Sequence, residues 1–293
     1  MTAVSTEKRS YHVYTTSTNT LDSMAKQLRN FIIMTISPLV TIRDMFARIS
    51  YNLNFEVHCM ELKNLQSKPL VSFVVPTKNE AKYIPKLLLS INYIANVCKV
   101  PVEIIVVDYK STDRTPEIAK RYGARVIEVD KPGVGYASYI GVLMSKGDII
   151  IRTDADVIMT PSVILEVLKV FTNDTKKLIA TVGHIYYPPE LSTNMLAYLY
   201  DRYLRKPYHT TGYFIAFRRE VTEKLNFNPR LKANDDWDFG RRAYKLFGLD
   251  RLHYNWWPAV LNSSRLIKKK GFVRYVVEHL GIIHAIPVPY SQF

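Results

Sequence analysis

The chain has few cysteines and no long apolar run, and both features exclude whole classes of protein. Only two of its 293 residues are cysteines, Cys59 and Cys98. Their spacing matches neither a zinc site nor a disulfide framework, so we expect neither and take a reducing compartment as the default. No uninterrupted apolar run of about 18 residues is present, and we therefore expect no membrane-spanning helix. Residues 1–20 lack the apolar core of a secretory signal, which favours a cytoplasmic location.

Acidic residues are outnumbered by basic ones, and the excess predicts partners of negative charge. The chain has 40 Lys and Arg against 26 Asp and Glu, which gives a formal net charge of +14 at pH 7. Nucleotide phosphates, a lipid surface and nucleic acid are all attracted by such a charge. A soluble protein with an ordinary basic surface would give the same count, so the charge alone does not choose among them.

The first 68 residues are typical of a helical extension. Ser37 and Pro38 resemble an N-cap followed by the first residue of a helix. Apolar residues recur at near-helical spacing on either side of this pair: Met24, Leu28, Phe31, Ile32 and Ile36, then Leu39, Ile42, Met45, Phe46 and Ile49. These apolar faces suit docking on the rest of the protein or, with the basic residues beside them, an interfacial membrane helix. Both interpretations stay open.

From residue 69 to about residue 262, short apolar segments alternate with helical ones. Predicted strands cover residues 70–75, 102–107, 125–129 and 148–153, and later ones cover residues 178–183 and 211–217. This alternation predicts an α/β fold with a doubly wound, mostly parallel central sheet and helices on both faces. Because crossovers between parallel strands are right-handed, Pro76, Asp108 and Asp154 should end their strands at the same edge.

The fourth predicted strand ends in Asp154-Ala155-Asp156, the most informative motif in the chain. Two carboxylates at this spacing suit a hard divalent cation held against a diphosphate. Ligands of open α/β sheets bind at the carboxyl ends of the strands, which is where the motif lies. An isolated pair of this kind is also compatible with a simple turn. Because Pro76 and Asp108 are expected at the same edge, we favour a binding site.

Five short motifs, taken in order, resemble the glycosyltransferases of family 2. They lie at residues 74–80, 106–108, 111–113, 154–156 and 235–238, and the resemblance covers about residues 70 to 249. It implies the GT-A fold and a metal-dependent transfer of a sugar from a nucleoside-diphosphate donor to an acceptor hydroxyl or lipid phosphate, with inversion by single displacement. We expect a helical extension at residues 1–68, the GT-A domain at residues 69–262 and a basic amphipathic tail at residues 263–293.

On the donor side, the resemblance implies that Pro76, Thr77 and Glu80 belong to the first donor-binding loop. It implies that Asp108 accepts hydrogen bonds from the nucleobase or ribose, which present N–H and O–H donors. The chain departs from the family pattern directly after Asp108, where Tyr109 follows, and the donor base therefore stays open between UDP- and GDP-sugars.

Two further residues complete the donor side, namely Asp113 and Lys131. Asp113 also suits a role in capping the helix that follows it. Lys131 precedes Gly133 and Gly135, which lie where the family has a glycine-containing segment at the start of a helix. Helix N-termini attract phosphate, so this segment suits donor contact, and it equally suits close packing of a helix on a strand.

The remaining motifs carry the metal and the catalytic base. The resemblance assigns the metal, Mn²⁺ or Mg²⁺, to Asp156, with Asp154 as a second ligand or a contact to the donor ribose. It assigns the catalytic base to Asp236, because inversion needs a carboxylate that removes the acceptor's proton. Asp235 is the other member of this acidic pair. The same residues also suit capping of the helix that follows.

The acceptor side is implied at Gly212 and Tyr213, together with Asp235. Arg242 either pairs with Asp238 one helical turn away or approaches phosphate. The acceptor is a glycan, a lipid or a protein. A peripheral contact with the inner face of a membrane is expected through residues 21–50 and 265–284, where basic and apolar residues mix.

Two rival functions follow from other features of the chain. A nucleotidyltransferase that makes nucleotide-sugars has a similar fold, but it usually has a glycine-rich loop after the first strand, and residues 76–79 contain no glycine. A basic, non-catalytic nucleic-acid-binding protein would account for the charge but not for the ordered acidic residues. We therefore expect no nucleic-acid partner.

Overall fold

The computed structural model describes residues 38–270, within which the chain forms eight strands and nine α-helices. The strands are β1 (Val71–Thr77), β2 (Val102–Tyr109), β3 (Arg125–Val129), β4 (Ile149–Arg152), β5 (Val157–Ile158), β6 (Ile179–Tyr187), β7 (Ile215–Arg218) and β8 (Leu252–Ser263). The helices are α1 (Pro38–Leu53), α2 (Phe55–Lys63), α3 (Ile84–Asn96), α4 (Thr115–Arg121), α5 (Val134–Met144), α6 (Pro161–Asn173), α7 (Leu191–Leu199), α8 (Asp235–Phe247) and α9 (Arg265–Lys270). A π-helical turn, Tyr200–Leu204, follows α7.

The eight strands form one sheet in the order β3-β2-β1-β4-β7-β6-β8-β5. β3, β2, β1 and β4 are parallel, and β7 is antiparallel to β4. β6 is antiparallel to β7 and parallel to β8, and β5 is antiparallel to β8. The predicted α/β class is confirmed. Thr77 pairs with Asp108 in the register of β1 and β2, so these strand ends lie side by side as expected.

β1 shows why this part of the chain has continuous apolar runs. All seven of its residues are buried. Successive side chains of a strand point to opposite faces, so Phe73 and Val75 pack in one core while Val74 packs in a second. A strand covered by helices on both faces is mostly apolar, and the two buried polar residues of β1, Ser72 and Thr77, bond to Glu103 and Asp108. The sheet is thereby held between two layers, and only its edges are left for polar ligands.

β8 and β5 were not predicted from the sequence. β8 has twelve residues, and its first half is only partly buried, so it lacks the apolar run of the central strands. Its pairing with β6 shifts register between Val182 and Gly183, which breaks the alternation further. β5 has two residues and follows the acidic motif directly, too short for any periodicity.

Within the described part of the chain, residues 42–270 belong to one compact unit that includes the last part of the predicted extension. Arg48 of α1 donates a 2.8 Å hydrogen bond to Asp201, and both side chains are buried. Asn52 accepts hydrogen bonds of 2.7 Å from the Ser162 hydroxyl and from the backbone of Ala259. Of the two interpretations of the apolar stripe on α1, these contacts favour docking on the α/β body.

Cys59 and Cys98 form a disulfide, with 4.6 Å between their Cα atoms. The expectation that neither cysteine is paired was wrong. Cys59 lies on α2 and Cys98 follows α3, and their sequence separation of 39 residues carries no information about their distance in space. The packing of the two helices decides it.

Some expectations fall on residues outside the described range. The first predicted helix of the extension, with Met24 to Ile36, is one of them, and the tail beyond residue 270 is another. Across residues 38–270, no helix combines the length and the apolar character that crossing a bilayer requires.

Candidate active site

The loops that follow β1 and β2, residues 78–83 and 110–114, are held together by hydrogen bonds at the carboxyl edge of the sheet. We call them the braced loops. Asp108 is buried, and its carboxylate accepts hydrogen bonds from the Thr77 hydroxyl (3.0 Å), the Ser111 hydroxyl (2.6 Å) and the Ser111 backbone N–H (2.9 Å). A carboxylate has about four acceptor positions, so little of Asp108 remains for a ligand. The residue expected to bind the donor nucleoside therefore organises the loop beside it.

A second set of contacts ties the same two loops together. Asn79 has a left-handed backbone (φ 55°), and its N–H donates to the Ser111 hydroxyl at 2.8 Å. Asp113 accepts hydrogen bonds from Ala81 N–H and Thr115 N–H, each 3.0 Å. Burial alone would raise the pKa of Asp113, but these bonds and that of the Thr115 hydroxyl outweigh it and lower the pKa. Asp113, expected on the donor side, stays ionised and holds the loops in place.

The glycine segment packs α5 against a later loop. Gly135 N–H donates to the Leu231 carbonyl at 3.2 Å, and a Cβ atom at Gly135 would lie 2.4 Å from the carbonyl oxygen of Asn228. Of the two interpretations of this segment, the contacts favour close packing. Lys131, the expected phosphate contact, is exposed and places its Nζ 5.0 Å from the centre of the Tyr136 ring.

Arg152, the last residue of β4, is the buried centre of the site. Its Nη1 donates to Asp154 Oδ1 and to the Gly212 carbonyl, each at 2.6 Å, and its Nη2 lies 3.5 Å from both carboxylate oxygens of Asp235. Burial alone would lower the pKa of Arg152, but the carboxylates of Asp154 and Asp235 outweigh it and raise the pKa. The guanidinium therefore stays charged and joins the acidic motif after β4 to the acidic pair at the start of α8.

Gly212 lets these parts approach each other. A Cβ atom at this position would lie 2.5 Å from Arg152 Nη1 and 2.6 Å from Asp154 Oδ2, distances that real Cβ atoms do not reach. Its N–H donates a 2.6 Å hydrogen bond to Asp236 Oδ2. Gly212, expected on the acceptor side, thus lies between Asp154 and Asp236.

Asp236 is held by two backbone donors. Gly212 N–H binds Oδ2, and Trp237 N–H binds Oδ1 at 2.9 Å. Burial and the charge of Asp235 raise the pKa of Asp236 to about 6. Each oxygen keeps a second lone pair that the protein does not use in these two bonds, so the carboxylate is oriented and can still accept a proton.

Asp235 and Asp236 have different surroundings although they are adjacent. Asp235 is 2% exposed and accepts a 2.8 Å hydrogen bond from the Ser138 hydroxyl in addition to its contacts with Arg152. It is the first residue of α8, but its carboxylate bonds to Ser138 and Arg152, and the start of α8 has no side-chain capping hydrogen bond, so the capping alternative is not supported. Asp235 is therefore a buried support, while Asp236 is only partly buried.

Asp156 pairs with a residue from beyond β8. Arg265 Nε lies 2.7 Å from Asp156 Oδ2, and the two Nη atoms of Arg265 donate to both carboxylate oxygens of Glu80 at 2.7 and 2.8 Å. Burial, with the negative charge of Asp154, raises the pKa of Asp156 to about 7, although Arg265 opposes the shift. Glu80, expected in the donor loop, is thereby linked to the acidic motif.

Two residues expected on the acceptor side have partners elsewhere. Tyr213 is buried, and its hydroxyl contacts Arg205 and lies 3.1 Å from His184 Nδ1, so its side chain belongs to the interior. Arg242 donates to Asp238 at 2.7 Å, which is the helical pair that the sequence allowed.

Sequence reasoning missed Arg152 and Arg265. Arg152 had a signal, because a charged residue inside an apolar strand must be paired if the strand is buried. Arg265 had none: 185 residues separate it from Glu80. Both are arginines that neutralise carboxylates at the sheet edge.

The carboxylates at the sheet edge are suitable ligands for a hard divalent cation. The side chains of Asp154 and Asp156 are 42% and 10% exposed, and both offer oxygen ligands. Among residues 38–270, no group of three or more His, Cys, Asp and Glu side chains is arranged to hold a metal. Mg²⁺ and Mn²⁺ are usually held by one or two carboxylates together with substrate phosphates, so two aspartates are sufficient.

Sequence comparison identifies a family and several relatives that resemble this chain. Residues 72–226 match the model of glycosyl transferase family 2. A 4,4'-diaponeurosporenoate glycosyltransferase of Staphylococcus haemolyticus is 34% identical over 116 residues, which are 37% of this chain and 30% of the relative. A dolichyl-phosphate hexose transferase of Haloferax volcanii is 38% identical over 86 residues, 29% of this chain and 36% of the relative. The chain thus spans about a third of the length of these relatives.

Solved structures share the fold. Glucosyl-3-phosphoglycerate synthase of Mycobacterium tuberculosis, in complex with Mn²⁺, UDP-glucose and phosphoglyceric acid, has a TM-score of 0.53 and 22% identity over 79% of this chain and 85% of its own. Residues 1–349 of TarS from S. aureus have a TM-score of 0.54 and 18% identity, over 73% and 65% of the two chains. At these identities the similarity establishes the architecture alone.

Proposed function

Because its residues 72–226 match the family model, the chain belongs to glycosyl transferase family 2, and we propose that it transfers a sugar from a nucleoside-diphosphate donor to an acceptor hydroxyl. One observation carries the proposal. Asp154 and Asp236 lie on either side of Gly212, and the buried Arg152 joins Asp154 to the acidic pair. A leaving diphosphate and an attacking hydroxyl need such groups close together.

Asp236 serves as the base in this proposal. Its two backbone donors fix the carboxylate, and a pKa of about 6 keeps it ionised at neutral pH yet close enough to the working pH to accept a proton. The acceptor hydroxyl, deprotonated by Asp236, attacks the anomeric carbon from the side opposite the leaving diphosphate. A single displacement of this kind inverts the anomeric configuration.

Asp154 and Asp156 would hold the metal. A bound Mn²⁺ or Mg²⁺ supplies charge neutralisation to the diphosphate as it leaves. Arg152 holds Asp154 in position through its 2.6 Å bond, and Arg265 balances the charges of Asp156 and Glu80. Each of the two proposed metal ligands is therefore held by an arginine, Asp154 by Arg152 and Asp156 by Arg265.

We propose that the donor nucleoside binds at the ends of β1 and β2. Thr77 and the loop that Asp108 organises form its floor, and Tyr109 offers an aromatic ring whose centre lies 4.6 Å from Lys78 Nζ. The braced loops give this surface a fixed shape before a ligand arrives, which lowers the entropic cost of binding. We propose a UDP- or GDP-sugar as donor.

A peripheral membrane contact is part of the proposal. Phe46, Leu53, Val57 and Met60 of α1 and α2 are 46–62% exposed, and the Arg43 side chain is 79% exposed. Apolar and basic side chains together suit an anionic lipid surface. Co-sedimentation with vesicles of phosphatidylcholine and phosphatidylserine checks this contact. Equal recovery with purely zwitterionic vesicles, or no recovery with either, would refute it.

The decisive experiment measures donor turnover in matched variants. The protein is incubated with UDP- and GDP-sugars, with and without Mn²⁺, and release of the nucleoside diphosphate is followed. Asp236→Asn should lose about a hundredfold or more in kcat while binding the donor normally, because only the base is removed. Asp156→Ala should lose metal-dependent nucleotide binding.

Asp250→Asn is the control, because Asp250 is an exposed carboxylate of the turn that follows α8. It should behave as the parent does. Full activity of Asp236→Asn and Asp156→Ala, in folded protein, would contradict the assignment. Formation of a nucleotide-sugar from a nucleoside triphosphate and a sugar 1-phosphate would instead support the nucleotidyltransferase.

A further inference from the structure

A cavity of about 320 Å³ adjoins Asp156, and the reaction proposed above assigns no group to it. Its walls come from the start of α3, the ends of β6 and β8, β5 and α9. Lys82 and Tyr83, which directly follow Ala81 of the loop after β1, form part of one wall, and β5 with the end of β8 forms part of another, so the cavity lies beside that loop. The volume is within the range of small-molecule sites.

The lining is strongly basic. It contains Lys82, Lys86, Arg265 and Lys268, and Asp156 is its one acidic residue. Lys268 pairs with Glu190 at 3.2 Å, whereas no ion pair formed among residues 42–270 includes Lys82 or Lys86. Two of the four cations are therefore available to an anion.

Three of the four basic side chains that line the cavity lie against aromatic rings. Lys86 Nζ lies 4.7 Å from the centre of the Tyr187 ring, and the Arg265 guanidinium lies 4.5 Å from that of Tyr83. Lys82 Nζ is also near Tyr83, at 5.6 Å. Such cation–π contacts restrict the side chains without neutralising them, so the positive charge stays directed at a ligand.

Ser264 supplies an independent sign of a missing partner. The residue is 2% exposed and lines the cavity, and its hydroxyl has no hydrogen-bond partner within the described part of the chain. Buried hydroxyls are normally paired, because an unpaired one loses the hydrogen bonds that water would give it. A ligand oxygen in the cavity would restore such a bond.

We propose that this cavity binds a phosphate group carried by the acceptor. The proposal rests on the glycosyltransferase function and names the chemistry of its acceptor. Several lysines, an arginine and a hydroxyl donor suit the three oxygens and double charge of a phosphate monoester better than a single carboxylate. In the proposed function the donor's diphosphate is neutralised by the metal at Asp154 and Asp156, and Asp156 lies where that site meets the cavity.

Calorimetric titration with inorganic phosphate and glycerol 3-phosphate, without metal, tests the site. Lys82→Gln and Lys86→Gln together should weaken binding of both probes about tenfold, since two charged contacts are lost. Ser264→Ala should weaken it severalfold. Lys224→Gln, at an exposed lysine outside the cavity, should leave it unchanged.

A second titration, with UDP and GDP in the presence of Mg²⁺, separates this inference from the proposed function. The lysine variants should bind the nucleoside diphosphate as tightly as the parent does, and saturating nucleotide should not displace phosphate. Equal phosphate affinity in parent and variants overturns the site. Displacement of phosphate by UDP or GDP assigns the cavity to the donor and overturns the acceptor phosphate. Failure of the parent to bind any nucleotide would count against the glycosyltransferase, while the phosphate titration would still report on the cavity.

Discussion

Replacing Arg152 by glutamine should destabilise the fold and weaken donor binding together. The guanidinium contacts Asp154, the Gly212 carbonyl and Asp235, and both it and Asp235 are buried. Removing one partner of a buried ion pair leaves an uncompensated charge, at a cost of about 3–5 kcal/mol. For a domain of this size that corresponds to a fall in Tm of roughly 6–20 °C.

Urea unfolding and thermal scans measure this cost, and Arg242→Gln is the matched control. Arg242 also pairs with an aspartate, but its side chain is 34% exposed, so its loss should cost less than about 1 kcal/mol. A double variant, Arg152→Gln with Asp235→Asn, should recover part of the loss because no buried charge is left alone.

Donor binding gives the second readout of Arg152. Asp154 loses the partner that orients it, so metal-dependent nucleotide affinity should fall about tenfold or more in Arg152→Gln. Arg152→Lys keeps the charge without the planar fork and should recover only part of it. If Arg152→Gln unfolds at the same urea concentration as Arg242→Gln, and the double variant is no more stable, the reasoning from the buried network is refuted.

The remaining predictions concern a glycine, the base and the disulfide. Gly212→Ala should lower donor affinity in isothermal titration, because its Cβ would lie 2.6 Å from Asp154 Oδ2; unchanged affinity would contradict the packing. With Mn²⁺ kept saturating at every pH so that Asp156 stays ionised, kcat/KM should fall about tenfold per pH unit below the pKa of Asp236, about 6, and level off above it; a flat profile from pH 5 to 8 would exclude Asp236 as base. Cys98→Ser should cost about 4 kcal/mol in urea unfolding, since the bond to Cys59 spans 39 residues. Dithiothreitol should lower the Tm of the parent but not of the variant, and alkylation of both thiols in unreduced protein would contradict the bond.

The strand ends illustrate what a sequence pattern can predict. A short, mostly apolar run at residues 70–75 predicts a strand covered on both faces, and β1 is such a strand. Its neighbours follow because parallel strands joined by helices cross over with one hand. The placement of Pro76, Asp108 and Asp154 at the same edge could therefore be predicted from the sequence, whereas the register that pairs Thr77 with Asp108 could not.

The roles of individual side chains were less predictable. Asp108 and Asp113 lie where the pattern placed them, yet their carboxylates bind the protein's own loops. A residue type at a strand end indicates what it can bond to, but the neighbouring loop decides which partner it meets. Tyr213 is a comparable case, because its ring is directed to the interior by the packing around His184 and Arg205.

The sequence by itself determined the alternation of strands and helices, the edge at which the acidic residues lie, and the order of Asp154, Asp156 and Asp236 along the chain. These are local properties, because periodicity and motif spacing are written within a few tens of residues. Only the tertiary structure decided that Arg152 meets Gly212 and Asp235, 60 and 83 residues away, and that Arg265 meets Glu80 across 185 residues. Such contacts arise when separate elements pack together, and the pairing of charges follows from that packing.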